Sequence, residues 1–296
     1  MSPIEDAPGL VSSPSGTFEA TPKPTSYGYG EAYQLEQAEK HRQRHTNHWR
    51  ARIALAHDLI DRYALPRLGR VPRGKITTLD VGCSIGTMAI EMSLRGFRSY
   101  GVDFDVSALR IARQLAAEEK ATVELIEGDV AALGSEAGLV DIAICFDIFE
   151  HLHDDELGAL LQAIRRSLSD RGSLVFYTFP LQYDYVFFSR NVLHWPLLPF
   201  RWLQPHAFER LVRAYAAFLD AGLLLLSGQS YKERIKRKSH CNPTTKARLT
   251  DILQRAGYEI AFIDTTSLYP FKTDVVRRFH RHPVAHRNLF GVVYPK

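Results

Sequence analysis

An apolar run that stops at two closely spaced glycines constrains this chain more than any other feature. Ile76 to Val81 reads as a short buried strand, and it breaks at Gly82 and Gly86 within Thr77-Thr78-Leu79-Asp80-Val81-Gly82-Cys83-Ser84-Ile85-Gly86-Thr87. Met88, Ile90, Met92 and Leu94 then supply a helix that stops at Gly96. A glycine-rich turn between strand and helix lets backbone come close to a ligand and aims free N–H groups at it. The next strand, Ser99 to Val102, ends in Asp103. An ionised carboxylate about 20 residues beyond the first glycine can accept hydrogen bonds from both hydroxyls of a ribose.

Three families use such a turn. A dinucleotide fingerprint, G-x-G-x-x-G, needs glycines where this chain has Ser84 and Thr87. Gly82 to Gly86 also satisfies G-x-S-x-G, the nucleophile elbow of α/β-hydrolases, with Ser84 as nucleophile. That fold places several strands and an oxyanion loop before the elbow, whereas one convincing strand precedes it here and no His-Gly-Gly loop is present. Finally, Asp80, Gly82 and Gly86 resemble the Asp-x-Gly-x-Gly-x-Gly turn of class I S-adenosylmethionine-dependent methyltransferases, with Ser84 at the middle glycine.

Later motifs extend the third resemblance in the family's order. Gly101-Val102-Asp103-Phe104-Asp105, with Ser107, Leu109 and Ala112-Arg113, is similar to the superfamily's second-strand motif. Gly128-Asp129-Val130 follows an apolar strand, Val123 to Ile126, where members hold adenine. Asp141 to Leu152 resembles the fourth strand and its exit, and Leu168-Ser169 with Gly172-Ser173-Leu174-Val175 the turn into the fifth. The likeness covers residues 75–180 and resumes at 240–265 and in the final strand.

The resemblance implies an α/β fold: a seven-stranded, mostly parallel Rossmann-like methyltransferase sheet with an N-terminal helix and an aromatic-rich cap insert. It implies S-adenosyl-L-methionine as cofactor, with Asp103 on the ribose, Gly82 and Gly86 at the methionine moiety, and Asp129 near adenine. Asp80, Cys83, Phe104, Val130 and Asp147 complete the expected cofactor contacts.

Chemistry is expected at Asp147-Ile148-Phe149-Glu150-His151. Its acid-x-x-Glu-His pattern resembles that of ubiquinone-pathway O-methyltransferases and of small-RNA 2′-O-methyltransferases, some of which bind a divalent metal there. The resemblance makes His151 and His240 the catalytic candidates, and Asp147, Glu150, His151 and His240 the metal-ligand candidates. Asp147 stands where those families usually have Glu, a shorter reach that argues against the metal. A metal-free histidine base and a Glu150–His151 pair that only caps the next turn stay open.

Taken in order, residues 1–26 are rich in Pro, Ser, Gly and Thr and are expected to be a disordered tail. Residues 27–74 are read as a helical cover over the cofactor, with Tyr27, Tyr29 or Tyr33 above it and one or two helices between Glu31 and Tyr63. Trp49, Ile53, Ala56 and Ile60 recur at helical spacing. His41, His45 and His48 fall on one face, read as solvated. Residues 75–180 alternate strand and helix, as a parallel sheet covered on both faces requires. Residues 181–239 interrupt the alternation and concentrate aromatics, among them Tyr183, Tyr185, Phe187, Trp195, Phe200, Trp202 and Phe208. This insert is expected to cap the acceptor pocket, with one helix over Phe208 to Leu219. Residues 240–296 finish the sheet, with Asn242 and Pro243 starting a helix.

Composition narrows the partners. A net charge of +4 does not argue for nucleic acid, and the Phe-Glu-Trp motif of the RNA family is missing, so a small aromatic, sugar or lipid-like acceptor is preferred. An RNA 2′-O-methyltransferase and a non-catalytic cofactor-binding scaffold are the alternatives. The run Lys232, Arg234, Lys236, Arg237, Lys238 reads as solvated, or as a grip on phosphate, nucleic acid or an anionic membrane surface in a peripheral contact. No oligomeric state follows from the sequence. Cys83, Cys145 and Cys241 have no paired spacing, and no basic region with an apolar core opens the chain, so a reducing, cytoplasmic setting is expected.

Overall fold

The computed structural model describes residues 31–128, 140–179, 181–187, 192–231, 234, 240–266 and 278–296. Seven strands form one sheet: β1 (Thr77–Val81), β2 (Arg98–Asp103), β3 (Val123–Glu127), β4 (Val140–Phe146), β5 (Leu168–Thr178), β6 (Tyr258–Thr266) and β7 (Asn288–Pro295). Their order is β3-β2-β1-β4-β5-β7-β6. β7 runs antiparallel to β5 and β6, and the other pairs are parallel. All five residues of β1 are buried, because helices cover both faces of its sheet position. Successive strands leave β1 in opposite directions, so the chain opens a crevice above the carboxyl ends of β1 and β4, where ligands of such sheets bind.

The helices are α1 (Glu31–Arg42), α2 (Trp49–Leu59), α3 (Thr87–Leu94), α4 (Val106–Glu118), α5 (Asp154–Ser167), α6 (Pro205–Ser227) and α7 (Lys246–Arg255). α2 widens to a π turn over Ile60–Ala64 and ends by Leu68, before Gly69. Its apolar residues Ile53, Ala56, Leu59 and Ile60 pack with Met88, Met92, Ile142, Ile144 and Val175 on one face of the sheet. The other face buries Leu79, Cys145, Phe149, Leu161, Phe176, Leu253 and Tyr258.

Of the three histidines read as a solvated face, His45 is exposed and His48 half-buried, but His41 on α1 is not solvated. His41 is fully buried, its Nδ1 3.1 Å from Thr87 Oγ1 and its Nε2 2.7 Å from Glu119 Oε1. Arg44 reaches both Glu119 and Glu91, so α1 and the turn after it are tied to α3 and the end of α4. Burial, then the Arg44 charge, hold His41 below its usual pKa, so it is neutral at pH 7. A buried ion cluster leaves no sequence signature beyond its charged residues, which is why this face reads as exposed.

Three boundaries also differ. α6 runs from Pro205 to Ser227, longer than its apolar stripe alone indicates, because Pro205 sits in the first turn and Gly228 ends it at φ +69°. α7 is capped by Thr245, whose hydroxyl accepts from Arg248 N–H at 3.2 Å. Asn242 instead braces a loop: its Nδ2 donates to Leu152 O at 2.7 Å and its Oδ1 accepts from Arg248 at 2.8 Å.

The insert has its own small core. Val186, Phe187, Leu197, Phe208 and Val212 pack against Phe279 and Ala285 from the connection between β6 and β7. The two excursions from the sheet therefore form one body.

Candidate active site

The glycine turn folds as its composition requires. Gly82 has φ +67°, and a Cβ there would lie 2.4 Å from Ile148 Cδ1. Gly86 has φ +79°, and a Cβ there would press on Ala112 Cβ at 3.1 Å. Only glycine meets both demands without strain. Ser84 takes a left-handed φ of +48°. Cys83 N–H donates to Val102 O at 2.9 Å, and Gly86 N–H to Cys83 O at 2.8 Å, which ties the turn to β2. The Cys83 side chain is buried and supports the turn through its backbone.

Two carboxylates organise the turn. Asp103 Oδ2 accepts from Ser84 N–H at 2.7 Å and Oδ1 from Asp105 N–H at 2.9 Å. Asp105 caps α4 and accepts from Gln34 Nε2 at 2.9 Å, so α1 closes over this corner. Asp80 Oδ2 accepts from Ala89 N–H at 3.2 Å at the start of α3. Burial pushes the Asp80 carboxyl up to about 8. A folded-state pKa raised above the unfolded value contributes stability below the unfolded pKa and loses it as pH rises through the folded one. The protein is therefore expected to melt progressively lower as pH rises from about 4 to 9, and Asp80→Asn to flatten that slope; thermal melts of both proteins across this range check it.

Above these groups lies a cavity of about 750 Å³. Tyr33, Gln34 and Lys40 of α1, the 82–87 turn, Asp103 and the exposed Phe104 line it. So do Trp49 and Arg52 of α2, Asp147, Ile148, Glu150, His151 and Leu152 at the exit of β4, Phe179 and His240. Among the described residues the cavity takes its insert-side wall from Phe179 and His240, which flank the insert, and from none within 181–239. Asp129, Val130, Tyr27 and Tyr29 lie outside the described residues.

At the exit of β4, Asp147 takes a left-handed φ of +58° while its N–H still donates to Tyr177 O at 3.0 Å. Strain of this kind persists where a side chain must be aimed. Asp147 Oδ2 accepts from Arg52 Nε at 2.9 Å and Oδ1 from Arg52 Nη2 at 3.3 Å. The buried guanidinium also lies over Tyr177, 5.1 Å from its centroid. Arg52 was not singled out by sequence. Its one signal is a charge set among the apolar repeats Trp49, Ile53 and Ala56 of α2.

Glu150, His151 and His240 come together, with one ligand atom of each within 4.8 Å of the others. The rings of His151 and His240 are 4.9 Å apart, although 89 residues separate them in sequence. Asn242 N–H donates to Glu150 O at 3.0 Å and so docks the His240 loop here. Asp147, paired with Arg52, is not in this cluster, so the expected set of four becomes three. Glu150 is fully buried; Oε2 accepts from Thr178 Oγ1 at 2.8 Å and, among the described residues, Oε1 has no hydrogen-bond partner. Burial, then the Asp147 charge, push its carboxyl well above the usual range. Burial, then the His151 charge, hold His240 below its usual pKa. A buried carboxylate oxygen without a partner fits either a proton or a cation.

Sheet order, glycine turn and the acid after β2 together match the arrangement of class I methyltransferases. Residues 78–172 match the family model described as a methyltransferase domain. The matched segment, about a third of the chain, is thus similar to the methyltransferase domain of S-adenosylmethionine-dependent enzymes. It is 32% identical over 101 residues to the ubiquinone biosynthesis O-methyltransferase of Pectobacterium atrosepticum, covering 34% of this chain and 41% of that one. It is 25% identical over 196 residues to the protein of that name from Nitrosomonas europaea, covering 63% and 76%. The fold matches magnesium protoporphyrin IX methyltransferase from Synechocystis PCC 6803 with a TM-score of 0.52 at 16% identity, over 91% of this chain and 97% of that one. An S-adenosylmethionine-dependent methyltransferase from Clostridium acetobutylicum gives 0.53 at 10% identity, over 90% and 99%. S-adenosylmethionine is the cofactor of this class, and no described helix is long and apolar enough to cross a membrane.

Proposed function

We propose that the protein methylates a hydroxyl oxygen of a small aromatic, sugar or lipid-like acceptor. One observation carries this reading: a single cavity is lined both by the cofactor turn and by Glu150, His151 and His240. The relatives named for O-methylation in ubiquinone biosynthesis support a hydroxyl acceptor. When bound, S-adenosylmethionine supplies a sulfonium methyl for in-line displacement by the acceptor oxygen.

The residues divide this work. Asp103 accepts from the ribose hydroxyls, and the 82–86 turn lets backbone close on the methionine moiety. Phe104 covers the ribose side, and Arg52 holds Asp147 against the cavity wall. Without a cation, His151 would take the acceptor's hydroxyl proton, a task suited to imidazole near neutral pH; with one, it would serve as a ligand instead. Glu150, His151 and His240 fit a divalent cation, because they offer one carboxylate and two imidazoles and Glu150 Oε1 has no other partner. Such a cation would lower the pKa of the acceptor hydroxyl.

Incubation with methyl-labelled cofactor and a panel of catechols, phenols, sugars and lipids tests the proposal, with mass spectrometry locating the methyl group. We expect oxygen-methylated product from at least one catechol or phenol. Cofactor binding with no turnover of any acceptor would instead indicate the non-catalytic scaffold.

A further inference from the structure

The insert carries a surface that methyl transfer does not use. Around the short helix Trp195–Phe200 the chain exposes Trp195, Phe200 and Trp202, with relative exposures of 59%, 45% and 69%. Beside them Arg201 and Trp202 meet Arg278, His280 and Arg281 in a second cavity of about 290 Å³. No carboxylate lines it, and among the described residues none of the three arginines has an ion-pair partner. The Arg201 guanidinium lies 4.9 Å from the Trp202 ring centroid.

This arrangement is held from beneath by the insert's core. His282 Nε2 is 2.8 Å from Arg201 O, which joins segments some 80 residues apart. His282 stacks on Phe208 at 4.0 Å between centroids, and Phe208 stacks on Phe279 at 5.5 Å. Phe279 and His282 are both fully buried. The arginines and the exposed rings therefore stand on a packed platform.

Exposed rings of this size favour a partner that buries apolar surface. Three adjacent guanidinium groups without carboxylates favour a partner that brings anions, and guanidinium matches phosphate oxygens in pairs. An anionic bilayer supplies both at the same depth, since Trp settles at the boundary between headgroups and acyl chains. We propose that this face docks on an anionic lipid surface, with Arg201, Arg278 and Arg281 on lipid phosphate and Trp195, Phe200 and Trp202 in the headgroup layer. The same insert carries Lys232, Arg234, Lys236, Arg237 and Lys238, which add positive charge in sequence, and the described one, Arg234, is exposed. This contact is independent of the methyl-transfer reading and makes the protein peripheral.

Co-sedimentation of the full chain with phosphatidylglycerol–phosphatidylcholine vesicles tests it, beside pure phosphatidylcholine vesicles and a titration with inorganic phosphate. We expect binding to the anionic vesicles with a blue-shifted tryptophan emission, and less than a tenth of that binding to the neutral ones. An arginine near an anionic surface contributes about fivefold in partitioning. Arg201→Ala with Arg281→Ala should thus weaken binding about 25-fold, and raised salt should weaken the wild type. Trp195→Ala with Trp202→Ala should abolish the blue shift, with unchanged circular dichroism showing that the variant is folded. Equal binding to both vesicle types would overturn the proposal. So would phosphate binding without vesicle binding, which would make the pocket a site for a soluble anion. Association with itself at the same face, seen as Trp202-dependent dimers by light scattering and no vesicle binding, would overturn it too.

Discussion

Asp103→Ala is expected to weaken S-adenosylhomocysteine binding about 150-fold, a loss of roughly 3 kcal/mol for two hydrogen bonds to a charged acceptor. The estimate takes the lower end of the range because each Asp103 oxygen already accepts one backbone hydrogen bond. Those bonds come from Ser84 and Asp105 N–H groups, so alanine slackens the turn while it removes the ribose acceptor. Asp103→Asn separates these effects. It keeps one acceptor oxygen and loses the charge, and about a tenfold loss is expected for it. Titration calorimetry of both variants measures the affinities, and thermal melts measure any loosening. An alanine variant that binds within threefold of wild type would remove Asp103 from the cofactor site. Tight binding of a nicotinamide dinucleotide by wild type would reassign the turn altogether.

The sheet was legible in the sequence because its determinants are local. Apolar runs of strand length, a glycine turn and an acid after β2 each need a short window, and all strands fall where their patterns place them. β5 begins earlier than its apolar core, at Leu168, because Leu168 pairs with Val140 across an irregular step in β4. The cofactor-turn part of the cavity was legible for the same reason: Gly82, Gly86, Asp80 and Asp103 lie within one strand–turn–helix–strand unit. The rest was legible only in part. His151 and His240 are far apart in sequence, and their meeting depends on Asn242 docking the loop onto Glu150. Arg52 was missed because nothing in an α2 pattern says that it faces the end of β4. The His41–Arg44–Glu91–Glu119 cluster was missed because burial of charge depends on partners from three separate elements. Long-range pairing of charged groups is what a single sequence conceals.

The largest effect is expected at the β4 exit, where His151→Ala should lower turnover about 10²–10⁴-fold while leaving S-adenosylhomocysteine affinity within a few-fold. The reason for the second clause is geometric: His151 clusters with Glu150 and His240 at the exit of β4, whereas Asp103 and the glycine turn belong to β1, β2 and the turn between them. Glu150 decides how that histidine works. A fully buried carboxyl with one unpartnered oxygen is costly when ionised and alone. If a proton relieves the cost, Glu150→Gln is nearly isosteric with the protonated form. Stability, turnover and resistance to EDTA would then all stay close to wild type. If a cation relieves it, Glu150→Gln loses a charged ligand. Wild type would then bind Mn²⁺ by calorimetry, EDTA would stop turnover, Mg²⁺ or Mn²⁺ would restore it, and Glu150→Gln and His240→Ala would both lose the Mn²⁺ signal. We expect the second pattern, because the two imidazoles beside Glu150 are arranged as ligands, and burial keeps His240 neutral and able to donate a lone pair. Mn²⁺ binding is read without any acceptor, so the metal can fail while methyl transfer stands. Near-normal turnover in His151→Ala would leave the Glu150–His151 pair only the task of shaping the turn after β4.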